Sequence, residues 1–287
     1  MEQAVRQLSQ EEYPKKLLEI PEPPPQLWIQ GTLPNQDHAV LAVVGSRALS
    51  SYGREATTAL LEGLSGYPIT IVSGLALGAD QHAHEEALRL GLNTIAVPGS
   101  GLDERVIAPR SNALLAKRIL ASGGALLSEH EPMHTPYPHD FPSRNRIMVG
   151  LSNAVLMIEA GERSGTLITA RLATEYNRDL LCVPHRIGDV HSEGSHQFIR
   201  LGATLVSESA HILEALGIEA KKETLTQKRT VDLTEHEATL YALLEEPKER
   251  DALIRASGTS PSDALTALVS LEIKGLAEER FGMWRRL

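Results

Sequence analysis

Residues 40–47 read VLAVVGSR, residues 69–80 ITIVSGLALGAD and residues 94–101 TIAVPGSG. Each is a short apolar run that breaks into glycine and serine, with an arginine in the first case. Runs apolar at every position mark strands buried on both faces, as in a parallel sheet covered by helices. The rhythm continues through ALLS (125–128), AVLMIE (154–159), LLCV (180–183) and ATLV (203–206), and helix-patterned stretches at 53–64, 79–91, 110–121, 166–177 and 194–201 separate most of these runs. The alternation predicts an α/β fold over 38–216, a doubly wound and mainly parallel sheet.

On either side the pattern changes. Residues 1–37 are polar and acidic and end in PEPPPQLWIQGTLPN, which predicts an extended approach segment. Residues 217–232, GIEAKKETLTQKRTVD, are charged and aperiodic and read as a linker. Over 233–287 come three helical patterns, 234–246, 249–256 and 261–274. The third is introduced by Ser260 as N-cap, with Pro261 at its first position and an acid, Asp263, at its third. The closing GLAEERFGMWRRL reads as a hairpin turning at Gly282, and three short helices followed by a hairpin predict a small winged-helix domain.

Composition bounds the rest. At 287 residues and 42% hydrophobic the chain can bury a real core, and with 4% aromatics that core must be aliphatic. The one cysteine, Cys182, excludes an intramolecular disulfide framework; it falls inside a buried-strand pattern and reads as a small hydrophobe. No apolar run approaches the ~20 residues of a membrane helix, and the first twenty residues lack the apolar stretch of a signal peptide, so the expectation is a cytoplasmic protein with no membrane partner. The net charge of −9 argues against coating nucleic acid by bulk attraction. However, residues 38–216 carry 14 Lys/Arg against 18 Asp/Glu, and 13 of the 14 are arginine, whose rigid fork matches phosphate geometry.

In an open parallel sheet, ligands bind at the carboxyl ends of the strands. There this chain places Gly45-Ser46-Arg47, then Ser73-Gly74, then Gly99, and later Ser164-Gly165-Thr166 opening a helix. One such loop is as well explained by a tight turn, but four on one edge favour a polyanion or a nucleotide. Neither G-x-G-x-x-G nor G-x-x-x-x-G-K-[ST] occurs, which argues against a dehydrogenase or a P-loop ATPase. Phe141 precedes the cluster Arg144-Asn145-Arg146. Together they could clamp phosphates and stack a base; equally, the arginines could pair with acids such as Asp140, with Phe141 in the core. Histidines are frequent (His82, His84, His130, His134, His139), but H-x-H on a helix diverges. The expectation is capping or solvated histidines, with no metal and no cofactor.

The strings VVGSR, VSGLALGADQHAH, IAVPGSGLD, GALLSEH, FPSRNRIMVGLS, EAGERSGTLITARLATE and LGATLV, in this order and spacing over residues 19–216, resemble the DprA/Smf family, the DNA-processing proteins of bacterial transformation. The resemblance implies an extended Rossmann-like domain that binds single-stranded DNA without catalysing a reaction. It further implies a homodimer that helps load the RecA recombinase onto DNA covered by single-strand-binding protein. By position, Gly45, Ser46 and Arg47, the Arg144-Asn145-Arg146 cluster and Ser164-Gly165-Thr166 would line the DNA groove, with Arg171 beside it; the strand-end and aromatic reading adds Ser73, Gly74, Gly99 and Phe141 as DNA-binding candidates. The chain departs from the family in three places. The usual N-terminal helical domain is not recognised, leaving about 11–37 as its exit segment. His185 and His196 stand where the family has glycine and a Gly-Cys-Asn-type turn. Arg110, in Ala108-Pro109-Arg110-Ser111-Asn112, replaces a residue of a Tyr-Pro-x-Glu-Asn pattern and adds a cation.

The family's dimer contacts would fall near Ile212, Leu213 and Leu216, although that helix could simply close the sheet. The winged-helix segment carries 7 Lys/Arg against 10 Asp/Glu, which favours protein contact over major-groove reading, with Arg280, Arg285 and Arg286 as possible phosphate contacts and Phe281 and Trp284 packing the wing. A second reading belongs to another class: Ser164-Gly165-Thr166 followed by Glu175 faintly resembles the related phosphoribohydrolases, which cleave nucleotide monophosphates, although Arg163-Ser164 replaces their double glycine.

Overall fold

A computed structural model describes residues 4–35, 37–161, 164–220, 233–244, 246–280 and 282–286, in two compact units spanning 1–220 and 221–287. The first unit begins with β1 (Arg6–Gln7), α1 (Lys15–Leu18) and β2 (Trp28–Gly31). The alternating core follows: β3 (Ala39–Val44), α2 (Ser51–Glu62), β4 (Ile69–Ser73), α3 (Ala79–Arg89), β5 (Asn93–Ala96), α4 (Ala113–Ala121) and β6 (Ala125–Ser128). It continues through α5 (Asp140–Leu151), β7 (Ala154–Met157), α6 (Thr166–Glu175), β8 (Asp179–Cys182), α7 (Glu193–Arg200), β9 (Thr204–Leu205) and α8 (Ser209–Ala215).

The strands form one sheet in the order β1-β2-β6-β5-β4-β3-β7-β8-β9, parallel from β6 to β9 and antiparallel at the β1–β2–β6 edge. Because strand side chains alternate between faces, β3 sends Ala42 and Val44 to one face and Leu41 and Val43 to the other. The first face is covered by α1, α5, α6 and α7, the second by α2, α3 and α8. The winding runs outward from β3 to β6; α5 then carries the chain back to β7, which pairs with β3 from the opposite side. The switch point therefore lies between the carboxyl ends of β3 and β7.

The fold differs from the sequence reading at the N-terminus. Rather than approaching as an extended segment, residues 4–31 extend the sheet, and Leu8, Tyr13, Leu17, Ile20, Leu27 and Ile29 are buried in its core. The prolines at 21 and 23–25 lie before β2 begins at Trp28, so they remove no hydrogen bond from its ladder. No described helix is long and apolar enough to cross a membrane.

In the second unit α9 (Glu235–Leu243), β10 (Lys248–Glu249), α10 (Arg250–Ser257), α11 (Pro261–Ile273), β11 (Ala277–Arg280) and β12 (Met283–Arg286) make a winged helix. Its wing is the expected hairpin plus a third short strand, in the order β10-β12-β11. Ser260 Oγ accepts the Asp263 N–H, 3.1 Å, to cap α11, and Leu240, Leu253, Leu268, Leu271 and Trp284 form the core. Most of the linker segment, residues 221–232, lies outside the described residues, as do Glu162, Arg163 and Phe281.

Candidate nucleic-acid interface

At the switch point the ends of β3 and β7, the start of α5 and the N-terminus of α6 enclose a cleft of about 630 Å³. It brings together nine of the residues singled out from sequence: Gly45, Ser46, Arg47, Phe141, Arg144, Asn145, Ser164, Gly165 and Thr166. Arg47 is exposed at the mouth, its guanidinium 5.3 Å from the centroid of the Phe141 ring, a cation–π contact. Ser46 Oγ accepts the Ala48 N–H, 3.1 Å, and shapes the turn out of β3. Across the cleft Ser164 Oγ accepts the Thr166 N–H, 3.2 Å, and donates to Thr166 Oγ1, 2.9 Å. The positive end of the α6 dipole thus opens on the cleft.

The two arginines of the Arg144-Asn145-Arg146 cluster separate. Two residues apart on a helix, they point about 200° apart around its axis. Arg144 is buried in the cleft floor, where Nη1 donates to the Val97 carbonyl, 2.7 Å, and lies 4.0 Å from Asp80 Oδ2. Burial holds its guanidinium down at about 10, against the attraction of Asp80, so it stays cationic at neutral pH. Burial likewise pushes the Asp80 carboxyl up, although Arg144 and the N–H groups of Gly74 and Ala76 (3.0 and 3.4 Å) pull it down. Arg144 is therefore not the solvent-facing clamp that the sequence reading entertained. Arg146 turns away, ion-paired with Glu129 and donating to the Glu22 carbonyl, 2.9 Å.

The loop from β4 to α3 is shaped by this buried pair. Leu75 adopts a left-handed φ of 59°, and Asn112 Nδ2 donates to the Leu75 and Ala76 carbonyls, 2.9 and 3.1 Å. Gly74 leaves room for the Arg144 guanidinium, which a Cβ there would displace. Gly99 gives the Phe141 ring its seat, since a Cβ would lie 2.9 Å from Cδ1. Ser73 is buried and donates to the Val43 carbonyl, 2.7 Å, so it is a wall residue. Arg110 sits elsewhere, donating to the carbonyls of Glu104 and Arg105 (both 3.0 Å), and Arg171 is exposed on α6 outside the cleft lining.

Besides Asp80, two further residues at or beside the cleft were not singled out from sequence. Glu159, fully buried two residues past β7, accepts from the backbone N–H (3.1 Å) and hydroxyl of Ser50, which caps α2; its signal was an acid ending an apolar run. His191 lines the cleft 4.0 Å from Glu159, and no local pattern marked it. Glu175, which the phosphoribohydrolase reading needs in the cleft, is exposed at the far end of α6 and does not line it. Ile212, Leu213 and Leu216 close the second face of the sheet; they are core residues, not an exposed dimer surface.

Several of the other singled-out residues are occupied within the molecule. His185 Nε2 lies 2.8 Å from the Ile158 carbonyl and His196 Nε2 3.0 Å from the His185 carbonyl. His82 and His84 diverge, His82 toward Thr58 (3.1 Å) and His84 into the core against Thr94 (2.7 Å). Burial pushes the Cys182 thiol up to about 12, which leaves it inert. On the wing, Arg285 pairs with Glu278, and Arg286 donates to the Tyr241 carbonyl, 2.9 Å, with its guanidinium over the Tyr241 ring.

Fold and site together define a class: a doubly wound α/β protein with a cation and an aromatic ring at its switch-point cleft, followed by a winged helix. The chain belongs to the DNA recombination-mediator protein A family, whose model matches residues 4–217; the DprA winged helix domain matches residues 226–283. It is 39% identical to Protein Smf of Escherichia coli (92% of this chain, 72% of that one) and 42% identical to the DNA processing protein DprA of Streptococcus pneumoniae (70% of each). The X-ray structure of the Streptococcus pneumoniae protein aligns with a TM-score of 0.67 at 39% identity, covering 74% of each chain. DNA processing protein A from Helicobacter pylori, described for its single-stranded DNA binding mode, aligns with a TM-score of 0.65 at 28% identity, covering 75% of this chain and 98% of that one.

Proposed function

We propose that this protein binds single-stranded DNA along the switch-point cleft, protects incoming DNA during natural transformation, and loads RecA recombinase onto it, acting in the cytoplasm as a homodimer. The activity is one of binding, with no catalytic residue assigned. The observation that carries it is Arg47 held over Phe141 at the mouth of a cleft whose floor is the buried cation Arg144. Arg47 is free to take a phosphate and the Phe141 ring to stack a base, while Arg144 adds positive potential from below. The likeness to the Helicobacter pylori protein supports the choice of single-stranded DNA.

The test is fluorescence anisotropy with a labelled oligonucleotide of ~35 nucleotides, single-stranded against double-stranded, at two salt concentrations. The expected result is a single-strand preference that weakens with salt as counterions are released. Arg47→Ala should lower affinity about tenfold, as loss of one charge-assisted hydrogen bond implies, and make the salt dependence shallower by about 0.7 in log–log slope. Unchanged affinity in that variant would put the groove elsewhere. Light scattering tests the dimer, and RecA assembly on DNA coated with single-strand-binding protein tests the loading step.

A further inference from the structure

The loop between β6 and α5 carries three histidines that sequence spacing alone leaves unrelated. In the fold they converge on one carboxylate. His134 Nε2 lies 2.8 Å from Asp140 Oδ2; His130 Nε2 and His139 Nε2 lie 3.7 and 3.2 Å from Asp140 Oδ1. The His130 and His134 rings are stacked, centroids 4.1 Å apart and planes within 15°, with both Nε2 atoms toward the carboxylate. One donor atom from each of His130, His134 and Asp140 falls within 4.8 Å of the others. His130 Nε2 is buried and has no hydrogen-bond partner.

This arrangement asks for a cation. Two stacked imidazolium rings would repel each other, and a buried imidazole nitrogen without a partner is costly. A divalent metal among the three donors would satisfy the orphaned nitrogen and use both rings in their neutral form. Nitrogen and carboxylate donors bind zinc at about 2.0–2.2 Å in tetrahedral geometry, and because each imidazole lone pair lies in its ring plane, the two stacked rings must splay apart to share one ion. With no thiolate in the set, the imidazole and carboxylate donors suit a borderline divalent transition metal such as zinc, nickel or copper.

The supporting contacts are already built. The Tyr137 N–H donates to Asp140 Oδ2, 2.7 Å, leaving Oδ1 toward His130 and His139. The His130 N–H donates to Ser128 Oγ, 3.1 Å, and the Gly101 N–H to the His134 carbonyl, 2.9 Å, which anchors the loop at these two residues. The Tyr137 contact to the ligating carboxylate is of the kind that fixes ligand orientation. We infer that His130, His134 and Asp140 form a zinc-type transition-metal site, with His139 or water as fourth ligand, bracing the start of α5 from which Phe141 enters the cleft. The site does not depend on the DNA-binding reading and stands even if Arg47→Ala leaves DNA affinity unchanged.

The test uses the untagged full chain stripped with chelator, titrated with Zn2+ by calorimetry and with Co2+ by visible absorption. The expected result is one metal per chain, with the d–d bands of tetrahedral cobalt and a rise in melting temperature on zinc addition. His134→Ala and Asp140→Asn should weaken zinc binding by about 100-fold or more, since even outer-contact loss costs up to that; His82→Ala should leave it unchanged. His130→Gln, checked for native circular dichroism without metal, guards against a variant that merely misfolds the loop. Absence of binding to the parent chain, or zinc affinity unaltered in folded His130, His134 and Asp140 variants, would overturn the site.

Discussion

At the scale of single residues, two glycines on the same sheet edge are glycine for different reasons, and this can be measured. A Cβ on Gly74 would displace the Arg144 guanidinium, which is paired with Asp80 and bonded to the Val97 carbonyl. Gly74→Ala should therefore destabilise the protein by about 3–5 kcal/mol, the cost of breaking a buried ion pair, read as a lower urea midpoint. Gly165 has a helical φ of −58°, and an added Cβ would meet nothing within 4 Å. Gly165→Ala should shift stability by no more than about 0.5 kcal/mol. If a phosphate approaches the α6 N-terminus, the same change should still weaken single-stranded DNA binding in the anisotropy titration. Both glycines stood out in the sequence, but only the space around each separates a folding requirement from a ligand requirement.

At the scale of elements, β7 and α2 are tied together across the switch point. Ser50 Oγ accepts the Gly53 N–H, 3.0 Å, as N-cap and donates to the Glu159 carboxylate, for which Gly53 leaves room. Ser50→Ala removes the cap and one partner of a buried carboxylate, so a loss of about 1–3 kcal/mol is expected in chemical denaturation. A neutral result would mean that Glu159 finds its partner elsewhere. Most core strands and helices were legible because apolar runs and 3.6-residue stripes are local patterns. Helix α5 was not: on it Arg144, Asn145 and Ile147–Leu151 are all buried, so no polar face contrasts with an apolar one. Strand β2 was hidden by the prolines before it, and its pairing partner β6 lies far along the chain.

At the scale of the whole molecule, the two units carry opposite kinds of buried titratable group. Burial, helped by Arg144, pushes the fully buried His84 down to about 3, so it folds neutral. An unfolded histidine takes its proton near pH 6.5. The first unit should therefore keep this contribution above about pH 6.5 and lose it progressively as pH falls toward 3. In the second unit Lys274, bonded to Glu237 at 2.7 and 2.8 Å, and then Ser270 hold that carboxyl down at about 2. Its contribution is present above the unfolded carboxyl value near 4.3 and is lost as pH falls toward 2. Calorimetry against pH should show the first unit weakening from pH 6.5 to 4.5 while this Glu237 contribution to the second unit is retained. His84→Gln should flatten that first slope, and an unchanged slope would refute the assignment.

The sequence by itself determined the doubly wound class, the winged helix and the edge of the sheet where the cleft lies, because these follow from periodicity and from loops at strand ends. Tertiary structure alone decided which arginine lies in the cleft, since Arg144 and Arg146 are alike locally and differ only in meeting Asp80 on one side and Glu129 on the other. It also decided that Ile212, Leu213 and Leu216 close the core and that three loop histidines meet one carboxylate. The physical reason is common to all of these: backbone pattern is set by near neighbours, whereas a side chain's exposure, charge and partners are set by residues that only folding brings alongside.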